Sequence, residues 1–397
     1  MREVVIAGVG MTPFGKFQER SLRSLAGEAV TAALADAHAP AKDVGMAFLG
    51  NAAAGLITGQ EMIRAQVTLQ DTGVLGIPLV NVENACASSS SALHLAWLTV
   101  AAGQVDVALA VGSEKLVHPD KLRSFEAISA AVDLEGREQL ARRVAPPHDD
   151  SGRPRSFFMD IYAYLARDYM DRSDASAEDF ARVAVKNHRH GALNPKAQYR
   201  NLVSLEEVLG SREIAAPLTL LMCSPLGDGA AAVVLCSEDY ARSRDADAVK
   251  VLASVLVSGQ LEPSEPAVAR AAARAYELAG VGPQDLDVVE VHDAAAPAEL
   301  IVYEELGLAA PGEGPALIRS GATELGGRVP VNTSGGLLSK GHPIGATGCA
   351  QVVELVEQLR GHAGERQVEG ARVALAENAG GFLDTEPAAV AIHVLAR

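Results

Sequence analysis

The sequence predicts an α/β fold with layered sheets, because short apolar runs alternate with helical stretches along most of its 397 residues. The apolar runs are rich in valine and alanine and lack a two-residue alternation, which is typical of strands covered on both faces. Hydrophobic residues make up 48% of the chain, which is enough for a large core. The predicted strands are Val4–Val9, Val105–Val111, Ala230–Cys236, Val249–Val257, Leu286–Val291, Ala371–Ala376 and Ala388–Leu395. The predicted helices are Leu22–Ala37, Ser88–Ala102, Ala267–Ala279 and Cys349–Leu359.

The middle of the chain, from about Leu116 to Pro217, departs from this alternation. Its charge density rises and its strand signals vanish, and pieces such as Arg142-Arg143 and His148-Asp149-Asp150 are typical of a solvent-facing insertion. We therefore predict two α/β halves and one inserted loop or lid domain. The first half is residues 1–115 plus 220–245, the insertion is residues 116–219, and the second half is residues 246–397.

The two predicted halves share an order of features that indicates a weak internal duplication. In the first half, Cys86–Ser91 opens a helix and the strand Val105–Val111 follows. In the second half, His342–Gly348 opens a helix and the strand Ala371–Ala376 follows. Each half therefore places a small-residue loop with one reactive side chain before a helix.

The formal net charge of −16 argues against a nucleic-acid binder, because neutralising phosphates requires basic patches. An anionic small molecule is compatible with this charge, since a local cluster of lysine and arginine can oppose the global sign. No apolar run reaches ~18 residues, so we expect no membrane span. The four cysteines form no C-x-x-C pair and the N-terminus does not resemble a signal peptide, so we expect no bound metal and a cytoplasmic protein.

Cys86 lies among small or polar residues at the start of a predicted helix. The unpaired N–H groups and the macrodipole of a first helical turn favour a thiolate, and small neighbours would let a thioester reach the sulfur. The alternative is a buried and inert cysteine, the usual state of a lone free cysteine. The other cysteines, Cys223, Cys236 and Cys349, are predicted to pack in the core.

A glycine-rich run surrounds His342, with five glycines from Gly335 to Gly348. Glycines this dense let the backbone turn tightly and approach a ligand closely. A histidine fixed among them is suited to proton chemistry near neutral pH. The alternative is a histidine that bonds to the backbone, with polar neighbours that serve only the turns.

Two further candidates follow buried strands, where sites in α/β proteins are common. His292 and Asp293 come after the strand Leu286–Val291, and Gly380 comes soon after the strand Ala371–Ala376. Backbone N–H groups at Gly380 could face a developing oxyanion. The alternatives are a histidine bonded to Asp293 and an ordinary transition from strand to turn.

These four places, in this order, resemble the thiolase superfamily over essentially the whole chain. The run around His342 is similar to the thiolase signature with its Gly-His-Pro histidine, and Cys86 matches the acyl-accepting cysteine. The segments His292-Asp293, Glu377–Gly380 and Val185–Pro195 resemble the branch related to sterol carrier protein-type thiolases. The resemblance implies duplicated α/β halves in a five-layered αβαβα architecture with an inserted loop domain.

The resemblance also implies roles for the candidate residues. Cys86 would attack an acyl-CoA thioester and hold the acyl group, and His342 would take the thiol proton and share an oxyanion site with His292. The backbone N–H groups of Cys86 and Gly380 would form a second oxyanion hole. Coenzyme A is then a substrate, and no permanently bound cofactor is expected. Substrate contacts are expected at Asn378, Ser339, Lys340 and Ala294.

The sequence departs from the family at the second catalytic cysteine, which carries protons at the α-carbon. In thiolases this cysteine follows the last active-site strand or lies in an H-D-C-F motif, and here those positions hold Asn378 and Ala294. Either another group carries the proton or the reaction differs. The candidates for the replacement are His118, His148 and Asp293.

Three functions are compatible with this resemblance. The first is a thiolase-type acyltransferase that cleaves a bulky 3-oxoacyl-CoA with free CoA through acyl-Cys86. The second, suggested by the missing cysteine, is a carbon–carbon lyase (retro-aldolase) or a C-acylating condensing enzyme, and the third is a non-catalytic acyl-CoA or lipid-binding subunit. We expect at least a homodimer, with a small zinc-ribbon/OB-fold subunit as a compatible partner. Neither nucleic acid nor a membrane is expected as a partner.

Overall fold

The computed structural model describes residues 2–145 and 155–397. Its strands are β1 (Val4–Met11), β2 (Met46–Gly50), β3 (Leu79–Val82), β4 (Val107–Glu114), β5 (Glu213–Ala215), β6 (Leu218–Thr219), β7 (Gly229–Ser237), β8 (Val249–Ser258), β9 (Val288–Glu290), β10 (Val373–Leu383) and β11 (Glu386–Ala396). Its helices are α1 (Leu22–Asp36), α2 (Ala54–Thr58), α3 (Arg64–Thr68), α4 (Ser88–Ala101), α5 (Lys121–Ser129), α6 (Arg137–Val144), α7 (Phe157–Arg172), α8 (Ala177–Ala192), α9 (Leu205–Gly210), α10 (Glu238–Ser243), α11 (Ala267–Ala279), α12 (Ala296–Glu305), α13 (Gly314–Arg319) and α14 (Thr347–Arg360).

All of the strands and helices predicted from the sequence are confirmed, with ends shifted by a few residues. The largest change is in β10, which continues past the predicted end at Ala376 as far as Leu383. Strands β2 and β3 were not predicted, because runs of five and four residues are too short for a periodic signal. None of the helices in the described residues combines the length and the apolar composition needed to cross a membrane.

The strands form a nine-stranded sheet in the order β3-β2-β4-β7-β1-β8-β11-β10-β9. The five strands at one end come from the first half of the chain, and the four at the other end come from the second half. The two sets meet where Val5 and Ile6 of β1 pair with Lys250 and Val249 of β8. The halves therefore share one sheet through a junction of two residue pairs.

Both sets of strands repeat one plan, as the predicted duplication requires. Strand β2 runs parallel to β3 and β4, while β9 runs parallel to β10 and to an isolated bridge at Val331. Strand β7 pairs antiparallel with β4 and β1, and β11 pairs antiparallel with β10 and β8. Helix α4 follows β3, and α14 follows the bridge at Val331, so the two helices occupy equivalent positions.

The helices and the two sets of strands stack in five layers. Helices α4 and α14 contact each other and strands of both sets, while α1 covers β1 and β7 on one outer side and α11 covers β8 and β11 on the other. The central core joins Leu93 of α4, Leu355 of α14, Val233 of β7 and Val251 of β8. Every residue of α14 except Glu357 is buried, as expected for a helix enclosed between the two sets of strands.

The inserted segment is largely helical, which corrects the expectation of a solvent-facing loop domain. Helices α7 and α8 pack against α12 of the second half, and Phe180 and Val183 of α8 join the core there. The charge density that indicated exposure belongs partly to amphipathic helices and partly to buried polar side chains such as Lys186. The boundaries of the three units stay a prediction, and His148 lies outside the described residues.

The starts of α4 and α14 approach each other closely. A Cβ added at Gly348 would overlap the hydroxyl oxygen of Ser90, so this contact requires glycine. The backbone N–H of Cys349 donates to Ser89 Oγ at 3.0 Å, which fixes the approach. As a result, the loops that precede the two helices, one with Cys86 and one with His342, lie face to face.

Candidate active site

Cys86 lies in a short 3-10 turn, Ala85–Ala87, that leads directly into α4. The backbone N–H of Asn84 donates to Ser88 Oγ at 3.0 Å, and the Ser88 hydroxyl donates to the Ala85 carbonyl at 2.6 Å. Ala85 has a φ of +48°. This left-handed conformation costs a non-glycine residue on the order of 1–3 kcal/mol and is typical of functional turns. The strained turn holds the sulfur at the head of the helix.

His342 faces Cys86 from the other half of the chain, with its Nε2 3.3 Å from the sulfur. Its Nδ1 lies 2.7 Å from Thr347 Oγ1. The Thr347 hydroxyl donates to the Pro343 carbonyl at 3.2 Å, so its oxygen accepts the proton of Nδ1. This arrangement protonates Nδ1 and leaves Nε2 available to accept the thiol proton.

His292 completes the group of converging side chains. Its ring is edge-on to that of His342, with the centroids 5.1 Å apart, and its Nε2 has no hydrogen-bond partner among the described residues. The sulfur of Cys86 and one nitrogen of each histidine lie within 4.8 Å of one another. These atoms could bind a thiophilic cation such as Zn²⁺. A cation there would occupy the sulfur and block it as a nucleophile.

The resting site holds a neutral thiol, which corrects the expectation that the helix dipole makes the sulfur anionic. Burial, together with the nearby Glu114 carboxylate, raises the pKa of Cys86 to about 12, against the opposing effect of backbone hydrogen bonds. Burial lowers the pKa of His292 to about 4 and lowers the pKa of His342 well below its usual range. Desolvation thus disfavours both the thiolate and the imidazolium until a substrate brings compensating charge.

Alkylation of Cys86 by iodoacetamide is expected to be slow at pH 7 and to accelerate about tenfold per pH unit up to pH 9. Below its pKa a thiol gains thiolate tenfold for each pH unit, and the pKa of Cys86 lies well above this range. Peptide mass spectrometry at successive times gives the rate at each pH. A rate that is already maximal at pH 7 would contradict the neutral resting thiol.

Thr347→Val is expected to slow acyl transfer roughly 5-fold, the rate equivalent of about 1 kcal/mol for one neutral hydrogen bond. Valine keeps the shape of the side chain but removes the oxygen that accepts the Nδ1 proton of His342. The imidazole can then adopt the tautomer that carries its proton toward the sulfur. Steady-state kinetics measure the change, and Thr347→Ser, which keeps the hydroxyl, serves as the matched control. Equal losses in both variants would argue against the tautomer.

Gly380 and Gly381 lie near the end of β10, where this strand passes the turn that holds Cys86. A Cβ at Gly380 would overlap the carbonyl oxygen of Asn84 and lie 2.7 Å from the amide nitrogen of Ala87, so the strand can approach the turn only with glycine there. The neighbouring Gly381 provides a backbone hydrogen bond that lowers the pKa of Cys86. The structure therefore adds Gly381 to the predicted Gly380.

The two positions at which the resemblance predicts a second cysteine have different surroundings. Ala294 is buried and lines the cavity in front of Cys86, as expected for a substrate contact. Asn378 is absent from the cavity lining formed by the described residues. Its Oδ1 instead accepts a hydrogen bond from Ser90 Oγ of α4 at 3.0 Å. Asn378 therefore contacts the helix layer behind the turn, which corrects its assignment as a substrate contact.

Ser339 and Lys340 also lie away from the cavity lining that the described residues form. The Ser339 hydroxyl donates to the Tyr199 carbonyl at 2.9 Å. Lys340 is buried and pairs with Glu290, with 3.3 Å between the ammonium nitrogen and the carboxylate oxygen. Both side chains hold the glycine-rich loop in place, so the expectation of direct substrate contact is replaced by a supporting role.

The three residues considered as replacements for the second cysteine, Asp293, His118 and His148, differ in their location. Asp293 accepts hydrogen bonds from the Leu337 backbone N–H and from Asn187 Nδ2, both at 2.7 Å. It supports the glycine-rich loop and does not contribute to the cavity lining among the described residues. His118 does line the cavity, whereas His148 lies outside the described residues.

A cavity of about 660 Å³ opens in front of the sulfur. Aromatic and aliphatic side chains from α5, α7, α12 and β10 form much of its wall, for example Phe125, Ile128, Phe158, Met159, Ile301 and Phe382. Lys16, Lys121 and Arg212 also line it, and these three side chains are exposed. The cavity thus combines an apolar interior with charged groups where it meets solvent, since the exposed Asp168 and Glu213 line it as well.

Sequence reasoning missed Glu114, the residue at the end of β4 that holds the His342 loop against the loop that follows β2. Its carboxylate accepts hydrogen bonds from the backbone N–H groups of Ala52 and Gly345, each at 3.0 Å. Burial raises the pKa of Glu114 to about 7. Its place at the end of a buried strand was the available signal, because the candidates His292 and Gly380 were chosen for following buried strands.

Comparison with known proteins gives family matches over most of the chain. The model described as "Thiolase, N-terminal domain" matches residues 4–239, and "Thiolase C-terminal domain-like" matches residues 254–393. The chain is 38% identical to acetyl-CoA acetyltransferase of Methanothermobacter thermautotrophicus over 100% of both proteins. It is 37% identical to benzoylsuccinyl-CoA thiolase subunit BbsB of Thauera aromatica, over 96% of this chain and 95% of that protein. It is also 37% identical to human sterol carrier protein 2, over 96% of this chain and 70% of that protein.

Two solved structures are similar to the whole chain. The Ltp2-ChsH2(DUF35) aldolase has a TM-score of 0.80 and 27% sequence identity, over 99% of this chain and 97% of the other. Human mitochondrial 3-ketoacyl-CoA thiolase has a TM-score of 0.73 and 18% identity, over 100% of this chain and 99% of the other. The second similarity concerns the fold alone, and it agrees with the five layers and the duplicated plan described above.

Proposed function

The chain belongs to the thiolase family, and from this premise we propose that it is an acyl-CoA acyltransferase that works through an acyl-Cys86 intermediate. The observation that carries the proposal is the 3.3 Å contact between Sγ of Cys86 and Nε2 of His342, in residues that both line the cavity. A nucleophile and a base at hydrogen-bond distance, with the base oriented by a third group, are what covalent acyl transfer requires. Thr347 is that third group.

In the cleavage direction, the sulfur attacks the 3-oxo carbon of a 3-oxoacyl-CoA while its proton passes to Nε2 of His342. The bond between C2 and C3 then breaks, the acyl group stays on Cys86 as a thioester, and the C2 fragment leaves as an acyl-CoA after it gains a proton. Free CoA then takes the acyl group from the sulfur. Cys86 and His342 are both neutral at rest, which suits this order of steps, because charge separates only once the substrate has displaced water.

Negative charge that develops on the substrate oxygens needs hydrogen-bond donors. The Nε2 of His292 has no hydrogen-bond partner among the described residues, which supports a role at one oxyanion. The backbone N–H groups of Cys86 and Gly380 are proposed for the other, because the strand of Gly380 passes directly against the Cys86 turn. Each such donor is worth ~10²–10³-fold in rate where it has been removed from other enzymes.

The size and lining of the cavity support the proposal that the acyl group is bulky. Its volume of about 660 Å³ and its apolar wall are suited to a large apolar substituent at C3. The exposed Lys16, Lys121 and Arg212 provide local positive charge in a chain of net charge −16, which suits the phosphates of CoA. We therefore propose cleavage of a bulky 3-oxoacyl-CoA, with CoA as a substrate and not a bound cofactor.

A direct test is mass spectrometry of the intact protein and of its proteolytic peptides after mixing the protein with 3-oxoacyl-CoA esters of increasing acyl size, without free CoA. We expect the mass of one acyl group on the peptide that contains Cys86, and its loss when CoA is added. Bulky apolar acyl groups should label the protein faster than an acetoacetyl group. An unlabelled Cys86 with every substrate, in a protein that still turns over, would refute the proposal.

A carbon–carbon lyase is the second candidate. It is favoured by the structural similarity to an enzyme named an aldolase, with a TM-score of 0.80, and by the absence of a cysteine at Ala294 and Asn378. A retro-aldol reaction would release an aldehyde or ketone from a β-hydroxyacyl-CoA and would consume no CoA. Product formation without CoA, and unchanged in rate when CoA is added, would favour the lyase over the acyltransferase.

We also propose that the protein is a cytoplasmic homodimer that binds a small partner subunit. One similar protein is named as a subunit, and one similar structure pairs two components in its name. These names support a complex with a small partner subunit, built on the homodimer expected for the family. The four cysteines are free, which supports a cytoplasmic location. Native mass spectrometry of the complex from its own source would test the assembly, and a lone chain of 41.2 kDa would contradict it.

A further inference from the structure

We propose that Glu377 carries the proton to and from the α-carbon of the substrate, the role for which this chain has no second cysteine. The inference rests on the proposed acyltransferase function and deepens it. Breaking the bond between C2 and C3 leaves an electron pair on C2, so an acid must deliver a proton there. Ala294 and Asn378, at the positions of the family's cysteine, have no titratable group.

The pleat of β10 directs Glu377 toward the substrate. Successive side chains of a strand point to opposite faces. Asn378 contacts Ser90 on the side of the helix layer, so its neighbours Glu377 and Ala379 face the other side. Both of these residues line the cavity that contains Cys86. Glu377, next to the expected cysteine position, therefore faces the cavity. Asn378, which occupies that position, does not.

The carboxyl group of Glu377 is fixed at one oxygen and free at the other. Its Oε2 accepts the backbone N–H of His292 at 2.8 Å, which holds the carboxyl beside His292. Its Oε1 is buried and has no hydrogen-bond partner in the described part of the chain. Other buried carboxylates nearby are paired: Glu290 with Lys340, and Asp293 with Asn187. An unpaired buried oxygen that lines a cavity indicates a group kept for chemistry.

The protonation of Glu377 suits both directions of transfer. Burial raises the pKa of Glu377 to about 7, against a lowering effect from the His292 hydrogen bond. A general acid or base works best with a pKa near the working pH. Tyr162 also lines the cavity, but burial raises the pKa of its hydroxyl well above the usual range, which makes it a poor proton carrier.

Over one turnover, Glu377, His342 and Cys86 each return to the protonation state in which they began. In the cleavage step the C2–C3 electron pair moves to C2, the Glu377 carboxyl gives its proton to C2, and the carboxylate remains. As the C2 fragment leaves, His342 gives the proton it took from Cys86 to solvent, and the Glu377 carboxylate takes one proton from solvent. Free CoA then enters, its thiol gives a proton to Nε2 of His342, and its sulfur attacks the acyl-Cys86 thioester. The Cys86 sulfur leaves as the thiolate and recovers its proton from His342. Both acids end in their starting forms.

Glu377→Gln tests the proposal, because glutamine can still accept the His292 N–H through its amide oxygen but cannot titrate. Two reactions are compared in the full-length protein. Exchange of free labelled CoA into an acyl-CoA needs Cys86 and no chemistry at the α-carbon. Exchange of the C2 hydrogens of acetyl-CoA for deuterium in D₂O needs the proton carrier. Glu126→Gln, on the exposed side of α5, is the control for loss of a carboxylate.

We expect Glu377→Gln to keep CoA exchange within ~5-fold of the wild type and to lose C2 deuteration and carbon–carbon cleavage by ~10²–10⁴-fold, the usual contribution of a general acid or base. Deuteration that persists in this variant would overturn the proposal, as would the loss of both reactions, which would assign the carboxyl to positioning His292. Loss of deuteration in Glu305→Gln alone would assign the role to the other carboxyl that lines the cavity. An absence of CoA exchange in the wild-type protein would instead refute the proposed function itself.

Discussion

Cys86→Ala is expected to lower acyl transfer by ~10⁴-fold or more while the fold is kept, because the variant has no atom that can hold the acyl group. The sulfur lies 3.3 Å from Nε2 of His342 and lines the cavity, so the nucleophile, its base and the space for a substrate are already in contact. The rate of CoA-dependent cleavage measures the loss. Thermal unfolding of the same sample shows whether the fold is retained.

The matched control is Cys223→Ala, since Cys223 lines the same cavity and has a similarly raised thiol pKa of about 12. This variant should keep acyl transfer within a few-fold of the wild type and should still be acylated at Cys86. Activity retained in Cys86→Ala, or lost equally in Cys223→Ala, would contradict the assignment of the nucleophile.

His342→Ala is expected to lower acyl transfer by ~10²–10⁴-fold at pH 7, the range of a lost general base. With the pKa of Cys86 raised to about 12, only ~10⁻⁵ of the thiol would be ionised at pH 7 without the base. The variant should regain activity about tenfold per pH unit up to pH 9, as hydroxide replaces the imidazole. The wild-type rate should change much less over the same range.

The measurement is a pH–rate profile of acyl transfer for both proteins, with His362→Ala as the control for a histidine lost from the exposed surface. The control should follow the wild-type profile. A flat profile in His342→Ala, or a loss no larger than that in the control, would show that another base serves Cys86.

The layered fold and the loops that hold the candidate site residues could be predicted from the sequence because their sequence patterns span only a few neighbouring residues. Buried strands such as β4 and β7 read as continuous apolar runs, and the glycines around His342 mark a tight turn within a few residues. The order of loops, helices and strands also predicted the duplicated plan. Such features depend on neighbours along the chain, which a single sequence contains.

Features that depend on the packing of distant segments were not predicted. The raised pKa of Cys86 follows from its burial and from Glu114, 28 positions away and brought close by the fold. The inward side of β10 at Glu377 depends on the register of the strand against the helix layer, which a one-residue shift would reverse. Lys340 was expected to contact substrate because its pairing with Glu290 cannot be seen in the sequence.

The catalytic sulfur belongs to one repeat and its base to the other, while the strands of the two repeats meet through two residue pairs. Neither repeat alone contains both the nucleophile and its base, so the rate of turnover depends on how accurately the two repeats pack against each other. A relative displacement of ~1 Å would separate base from nucleophile and can cost ~10²-fold in rate. Packing of the apolar seam between α4 and α14 therefore contributes to catalysis, although none of the described residues of these two helices lines the cavity.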